Sequence, residues 1–299
     1  MSPKSAPFYV ITAFTSSAFG GNPAAIVFLD PDASLPSLDS KISINFNQPI
    51  TTLVSTTSLP SDDDKIEVRD VRFFVSNGTE VPICGHGTLA VGKALFGMPE
   101  IAARGVHTIH LKNRRGDTLK VMKLDDGFVE VQIPATVPGS ISEEEKAKLK
   151  TFVDKAFGRN VAIKDIKNGG SIYEPYVMVA LEDSEDLAGS SINAKELIGN
   201  GFFVNVFTMA SPNPGEVFVS RMFSPLMIAG TGEDPVCGSA HGILAPYWYG
   251  ERGIHPGKEV RAKQVSERGG DLRVVLDEQG GTVRLRGQAV IFSQGELQL

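Results

Sequence analysis

One signature occurs twice in the sequence, about 150 residues apart, and it restricts the chain to a duplicated architecture. The first copy runs from Arg72-Phe73-Phe74 to Glu80-Val81-Pro82-Ile83-Cys84-Gly85, the second from Arg221-Met222-Phe223 to Glu233-Asp234-Pro235-Val236-Cys237-Gly238. Each is followed by a small, apolar stretch, residues 88–95 and 243–248, suited to a buried helix. Solenoid units are far shorter than this period, so the repeat implies two similar domains. A length of 299 residues agrees, because chains of this size divide into domains of roughly 100–200 residues. A break at Pro134-Ala135-Thr136-Val137-Pro138-Gly139 places the boundary near residue 135, giving domains 1–135 and 136–299, with terminal strands able to cross between the halves.

Between the signatures the pattern is one of hairpins. Residues 8–14 and 24–29 read as strands around the turn Gly20-Gly21-Asn22-Pro23, and further strands are expected at 66–75, 106–111, 118–124 and 128–133. Ser142-Glu143-Glu144-Glu145 reads as a capping box, followed by Leu149, Phe152, Val153, Ala156 and Phe157 at helical spacing. Strands at 171–181, 202–209 and 216–223, a helix near 188–198 and hairpins from 259 to 297 complete the expectation.

Charge and composition exclude several classes. A net charge of −6 without a Lys/Arg cluster disfavours nucleic acid, and no apolar run reaches the length of a membrane span. With no basic start leading into an apolar stretch, the expected location is the cytoplasm. The one His-x-x-His, His107 to His110, lies in a strand-like run where residues three apart face opposite ways, and no Gly-Lys-Thr loop follows Gly230 and Gly232, so neither metal nor nucleotide cofactor is expected. Two cysteines in matched contexts point to chemistry rather than to one disulfide.

A cysteine at the start of a helix has its thiolate stabilised by unpaired backbone N–H groups and the positive dipole end. Gly85, Gly87 and Gly238 would let a ligand approach that backbone, whose N–H groups can also hold a carboxylate. Two such thiols, Cys84 and Cys237, suit stereoinversion next to a carboxylate, one removing the proton from one face and the other donating it from the opposite face. His86, Asp234 and Ser239 are the neighbouring candidates for proton transfer or substrate contact.

These residues resemble the PhzF-like isomerases of phenazine biosynthesis, relatives of diaminopimelate epimerase and proline racemase. The resemblance rests on residues 10–28 with the Gly21-Asn22-Pro23-Ala24 turn, on Arg72-Phe73-Phe74 through Cys84-Gly85-His86-Gly87-Thr88-Leu89-Ala90, and on Gly232 through His241. It implies an α+β fold of two pseudo-symmetric domains, each a curved, mostly antiparallel sheet around a central helix, with a small-molecule substrate in the cleft between them. Asn22 then joins the substrate-binding candidates, and many relatives are dimers, which leaves a homodimer as an open expectation.

One departure stands out. The family's catalytic glutamate lies in a segment like Asn-Leu-Ser-Glu-Thr-Ala-Phe-Val, and the corresponding stretch here, Asn47-Gln48-Pro49-Ile50-Thr51-Thr52-Leu53-Val54, puts Ile50 in its place. Three functions stay open: an epimerase using the two thiols, a PhzF-like isomerase or cyclase of secondary metabolism using Asp234 and His86, and a binding protein that retains the cleft without catalysis.

Overall fold

The computed structural model describes residues 5–30, 36–56 and 61–299. In chain order the first elements are β1 (Ser5–Ala13), β2 (Asn22–Phe28), α1 (Pro36–Phe46), β3 (Ile50–Thr56), β4 (Ile66–Val75), β5 (Glu80–Val81), α2 (Gly85–Phe96), α3 (Pro99–Ala103), β6 (Thr108–Lys112), β7 (Thr118–Lys123) and β8 (Val129–Pro134). There follow β9 (Gly139–Ser140), α4 (Glu143–Phe157), β10 (Ile163–Asn168), β11 (Tyr176–Leu181), β12 (Val204–Ala210), β13 (Phe218–Phe223), β14 (Glu233–Asp234), α5 (His241–Glu251), β15 (Val260–Gln264), β16 (Gly270–Asp277), β17 (Thr282–Gly287) and β18 (Ala289–Gln298). The chain divides into two compact units, one made of residues up to Gln132 together with Arg286–Leu299, the other of Ile133–Leu285. The C-terminal segment therefore belongs with the first unit, because β18 is bonded along its length to β1.

Each unit repeats one order of strand pairing. In the first, β1–β2 is antiparallel, β2–β3 parallel, β3–β4 and β4–β5 antiparallel, β4–β6 parallel and β6–β7 antiparallel. In the second, β10–β11 is antiparallel, β11–β12 parallel, β12–β13 and β13–β14 antiparallel, β13–β15 parallel and β15–β16 antiparallel. The sequence signature falls on the same step of both, from the fourth strand of the pairing through a two-residue strand to a buried helix.

The Arg and Glu ends shared by the two copies hold that step together. Arg72 donates from Nε and Nη2 to the carboxylate of Glu80 at 3.0 and 2.8 Å, and Arg221 does the same to Glu233 at 2.7 and 2.8 Å. Each guanidinium also lies over the phenylalanine two residues on, Arg72 over Phe74 at 4.7 Å and Arg221 over Phe223 at 5.1 Å. Bidentate, charge-assisted pairs fix orientation as well as distance, so each Glu-x-Pro turn is pinned to the strand before it.

Helix α2 is enclosed: all its residues except Lys93 are buried, and it touches β1, β2, β3, β7 and β18. Gly92 permits this, since a Cβ there would lie 2.5 Å from Val121 Cγ1. In the second unit α4 opens on the expected capping box, Ser142 with Glu145, and its Leu149, Val153 and Phe157 pack on Val177, Phe207 and Phe223. Helix α5 carries Trp248, which stacks on Phe218 with centroids 5.7 Å apart and donates from Nε1 to Thr208 Oγ1 at 2.9 Å. Among the described residues no helix is long and apolar enough to cross a membrane.

Two expected elements differ. Residues 188–198 form only a short 3-10 helix, Ala194–Leu197, because Arg221 Nη1 takes the carbonyls of Leu187 and Ser190, which a continuous helix would need. The strand expected from 171 starts at Tyr176, after a turn closed by Tyr176 N to Tyr173 O.

Gly242, at the second position of α5, has Tyr173 directly against it. A Cβ there would lie 2.2 Å from the Tyr173 hydroxyl and 2.6 Å from the Pro134 carbonyl that this hydroxyl binds. Gly242→Ala is expected to destabilise the protein by about 2 kcal/mol, read as a lower midpoint in urea, because the obstructing atoms are backbone and a buried ring.

Candidate functional site

In the first unit Cys84 is the N-cap of α2, with extended backbone at φ −147 and ψ 113 and its Sγ accepting from Gly87 N at 3.5 Å. The cap is reinforced by Thr88, whose Oγ1 and N both donate to the Cys84 carbonyl, at 2.7 and 2.9 Å. His86, two residues into the helix, turns its imidazole back so that Nδ1 lies 3.3 Å from Cys84 Sγ. Asn22, at the start of β2, brings its Nδ2 to 3.2 Å from the same Nδ1. An amide nitrogen can only donate, so Nδ1 is an acceptor and the ring proton sits on Nε2.

Burial holds His86 neutral, its pKa pushed down to about 3. The imidazole therefore cannot draw the thiol proton into an ion pair near neutral pH, and stabilisation of a Cys84 thiolate falls to the Gly87 N–H and the helix dipole. Asn22, expected as a substrate contact, is fully buried with its amide nitrogen on His86. Ile50, at the head of β3, is 2 % exposed and stands beside the helix start: a Cβ on Gly87 would meet Ile50 Cγ2 at 3.2 Å and Thr52 Oγ1 at 3.0 Å. Gly85 and Gly87 are both buried there. Six expected site residues of this unit or its helix start thus gather in one place.

In the second unit Cys237 departs from the helix-start expectation. Helix α5 begins four residues later, at His241, and a tight turn with His241 N to Gly238 O and Gly242 N to Ser239 O, both 3.0 Å, leads into it. Pro235 and the Val236 side chain fix the preceding segment, a Cβ on Gly270 being only 2.2 Å from Val236 Cγ2. Cys237 is buried, its amide donates to Gln264 Oε1 at 2.8 Å, and its carbonyl accepts from His241 Nδ1 at 3.0 Å. The sulfur lies 3.3 Å from Ser239 Oγ, which in turn is 2.9 Å from the Tyr176 hydroxyl.

His241 is a packing residue: burial lowers its pKa to about 4, its Nδ1–H is on the Cys237 carbonyl, and its ring lies against Phe218 at 5.8 Å. Asp234 is 8 % exposed on β14, and its carbonyl accepts from Gln264 Nε2, so one glutamine amide holds both ends of Asp234-Pro235-Val236-Cys237. Gln264 and Tyr176 carry no sequence signal, lying 27 and 61 residues from the cysteine they serve on strands whose pattern shows only burial.

A cavity of about 350 Å³ in the first unit is lined by Leu29, Val54, Asp70, Arg72, Lys112 and Arg114 and includes none of Cys84, His86 or Asn22. Its cations are engaged, Arg72 with Asp39 and Glu80 and Arg114 with Glu80 at 3.7 Å, which fits a structural wall. Among the described residues no three His, Cys, Asp or Glu side chains converge on a metal site.

Comparison with known proteins gives a consistent picture. The family model described as phenazine biosynthesis-like protein matches residues 11–295. The chain is 32% identical to the mouse phenazine biosynthesis-like domain-containing protein 2, across 97% of this chain and 98% of the relative. It is 31% identical to an uncharacterised isomerase of Halalkalibacterium halodurans, covering 98% of both. The crystal structure of a phenazine biosynthesis protein of the PhzF family from Enterococcus faecalis superimposes with a TM-score of 0.82 at 28% identity, over 99% of this chain and 100% of that one.

Proposed function

We propose an isomerase, on the premise that the chain belongs to the phenazine biosynthesis-like protein family. Its substrate is a small molecule bearing a carboxylate or carbonyl, and the reaction is proton transfer at the adjacent carbon without a cofactor. A relative of similar length is named an isomerase, which supports the class. The observation that carries the reading is that both copies of the duplicated signature set a reduced thiol against a neutral polar partner, Cys84 against His86 and Cys237 against Ser239.

In this reading Cys84 and Cys237 are the acid/base pair. One thiolate removes the proton, the other thiol returns one from the opposite face, and the product is the mirror configuration at that carbon. The carbon is a weak acid, so the developing enolate needs preorganised donors, which the N–H groups at the start of α2 can supply. Ile50 has no ionisable group and lies buried beside Gly87, so a glutamate-driven double-bond shift is not assigned to this chain.

The test is incubation in deuterated water with a panel of single-enantiomer α-amino and α-hydroxy acids, following loss of the α-proton signal by NMR. Exchange with at least one compound is expected, together with its disappearance in the Cys84→Ser/Cys237→Ser double variant. Turnover that survives in the double variant would sink the proposal.

A further inference from the structure

The two thiols differ in what stands behind them. Cys84 sits on a helix start, whereas Cys237 precedes α5 by four residues and has a hydroxyl chain, Ser239 then Tyr176, leading away from its sulfur. Ser239 has one proton and can give it to one neighbour only, so what Cys237 experiences depends on which way Tyr176 points its own proton.

We propose that Tyr176 is a positioning residue for Cys237: its hydroxyl donates to Ser239 Oγ at 2.9 Å, which turns the Ser239 proton onto the Cys237 sulfur at 3.3 Å and stabilises the thiolate. This rests on the proposed thiol chemistry for its purpose and on the geometry of the second unit for its existence.

Three observations favour that direction. Burial, the Cys237 thiolate and Asp234 all oppose ionisation of Tyr176 and push its pKa far above the ordinary phenol value, so it keeps its proton to donate. The groups facing the cluster are Tyr173 in the turn before β11, Asp234 on β14 and His241 on α5; the first is held protonated by burial, the second is acidic, and the third is neutral with Nδ1 on the Cys237 carbonyl. Support for a thiolate here thus comes from hydroxyl donors rather than from these neighbours. Finally, the Tyr176 ring is fixed, edge-on to Tyr173 with centroids 5.2 Å apart, and Tyr173 is itself locked by its bond to the Pro134 carbonyl at 2.8 Å and by contact with Gly242.

A hydrogen bond to a charged group is worth about 1.5–3 kcal/mol, equivalent to roughly one to two pH units in the ionisation of its acceptor. The experiment makes Cys237 the sole thiol with Cys84→Ser and titrates thiolate absorbance in the ultraviolet, subtracting the matching Cys84→Ser/Cys237→Ser protein to remove the tyrosine signal. Tyr176→Phe is expected to raise the Cys237 pKa by about one unit, Ser239→Ala by at least as much, and the pair by no more than Ser239→Ala alone. No substrate is involved, so this result stands or falls separately from the isomerase activity, and circular dichroism confirms that each variant is folded. An unchanged Cys237 pKa in Tyr176→Phe would overturn the proposal. So would an unchanged pKa in Ser239→Ala, or a Tyr176→Phe shift of undiminished size once Ser239 is removed.

Discussion

Cys84→Ser and Cys237→Ser are each expected to slow inversion of the substrate by about 10³-fold, roughly 4 kcal/mol of transition-state stabilisation. The size follows from the chemistry of the atom removed. A thiol ionises near pH 8.5 unperturbed and lower beside backbone N–H donors, so an appreciable fraction is thiolate at neutral pH, whereas a serine hydroxyl in the same place is not a usable base without a partner to take its proton. His86 does not supply one, because burial has lowered its basicity to about 3 and Asn22 already occupies its Nδ1.

Measuring inversion and solvent exchange side by side separates this from a general loss of structure. A single variant retains one thiol, able to remove the α-proton of only the enantiomer that presents it. Exchange is then expected to survive with one enantiomer in Cys84→Ser and with the other in Cys237→Ser, while inversion fails in both. Exchange of both enantiomers at undiminished rate in either variant would remove that cysteine from the mechanism and return Asp234 and His86 to consideration.

The duplicated signature made the fold legible. Cys-Gly after Glu-x-Pro located both buried helices, and the capping box at Ser142 and Glu145 appears as the spacing required. What the pattern could not show is that its Arg and Glu ends serve each other: Arg72 with Glu80 and Arg221 with Glu233 are eight and twelve residues apart, and only the antiparallel return of β5 on β4 and β14 on β13 brings them together. The failed helix near 188–198 has the same origin, since the Arg221 that captures its carbonyls lies on a strand some thirty residues later. Local propensity was overruled by a buried guanidinium with more N–H donors to satisfy than its glutamate can accept.

At the candidate site, matched local sequence concealed unlike geometry. Cys84 and Cys237 share four of their flanking positions in type, Glu, Pro, Ile or Val, and Gly, yet one caps a helix and the other precedes a tight turn stabilised by Gln264 and His241. The difference lies in residues after the cysteine, Gly85-His86-Gly87 against Gly238-Ser239-Ala240, and in distant side chains that no spacing rule connects.

Acidification from pH 6.5 to pH 5 is expected to cost the fold about 3 kcal/mol, roughly 1.6 kcal/mol from each of His86 and His241. Both are fully enclosed, and their folded pKa values, about 3 and about 4, lie below the unfolded value near 6.5. Between those limits the unfolded chain binds protons that the native state refuses, so stability rises with pH across the interval and is lost as the pH falls. Half-buried His110, also shifted downward by desolvation and by Lys120 and Lys112, acts in the same direction but more weakly. The carboxylates with lowered pKa, Glu80, Asp165 and Glu185, stabilise the fold above their unfolded values near 4 and yield only as the pH drops through that range, leaving the upper interval to the histidines. Urea unfolding at half-unit steps of pH measures the slope directly. In His86→Gln/His241→Gln the slope between pH 6.5 and 5 is expected to flatten almost completely, whatever the stability lost at pH 7; a slope equal to that of the unsubstituted protein would mean that the two imidazoles take up protons in place, and the neutral His86 on which the thiol mechanism depends would have to be abandoned.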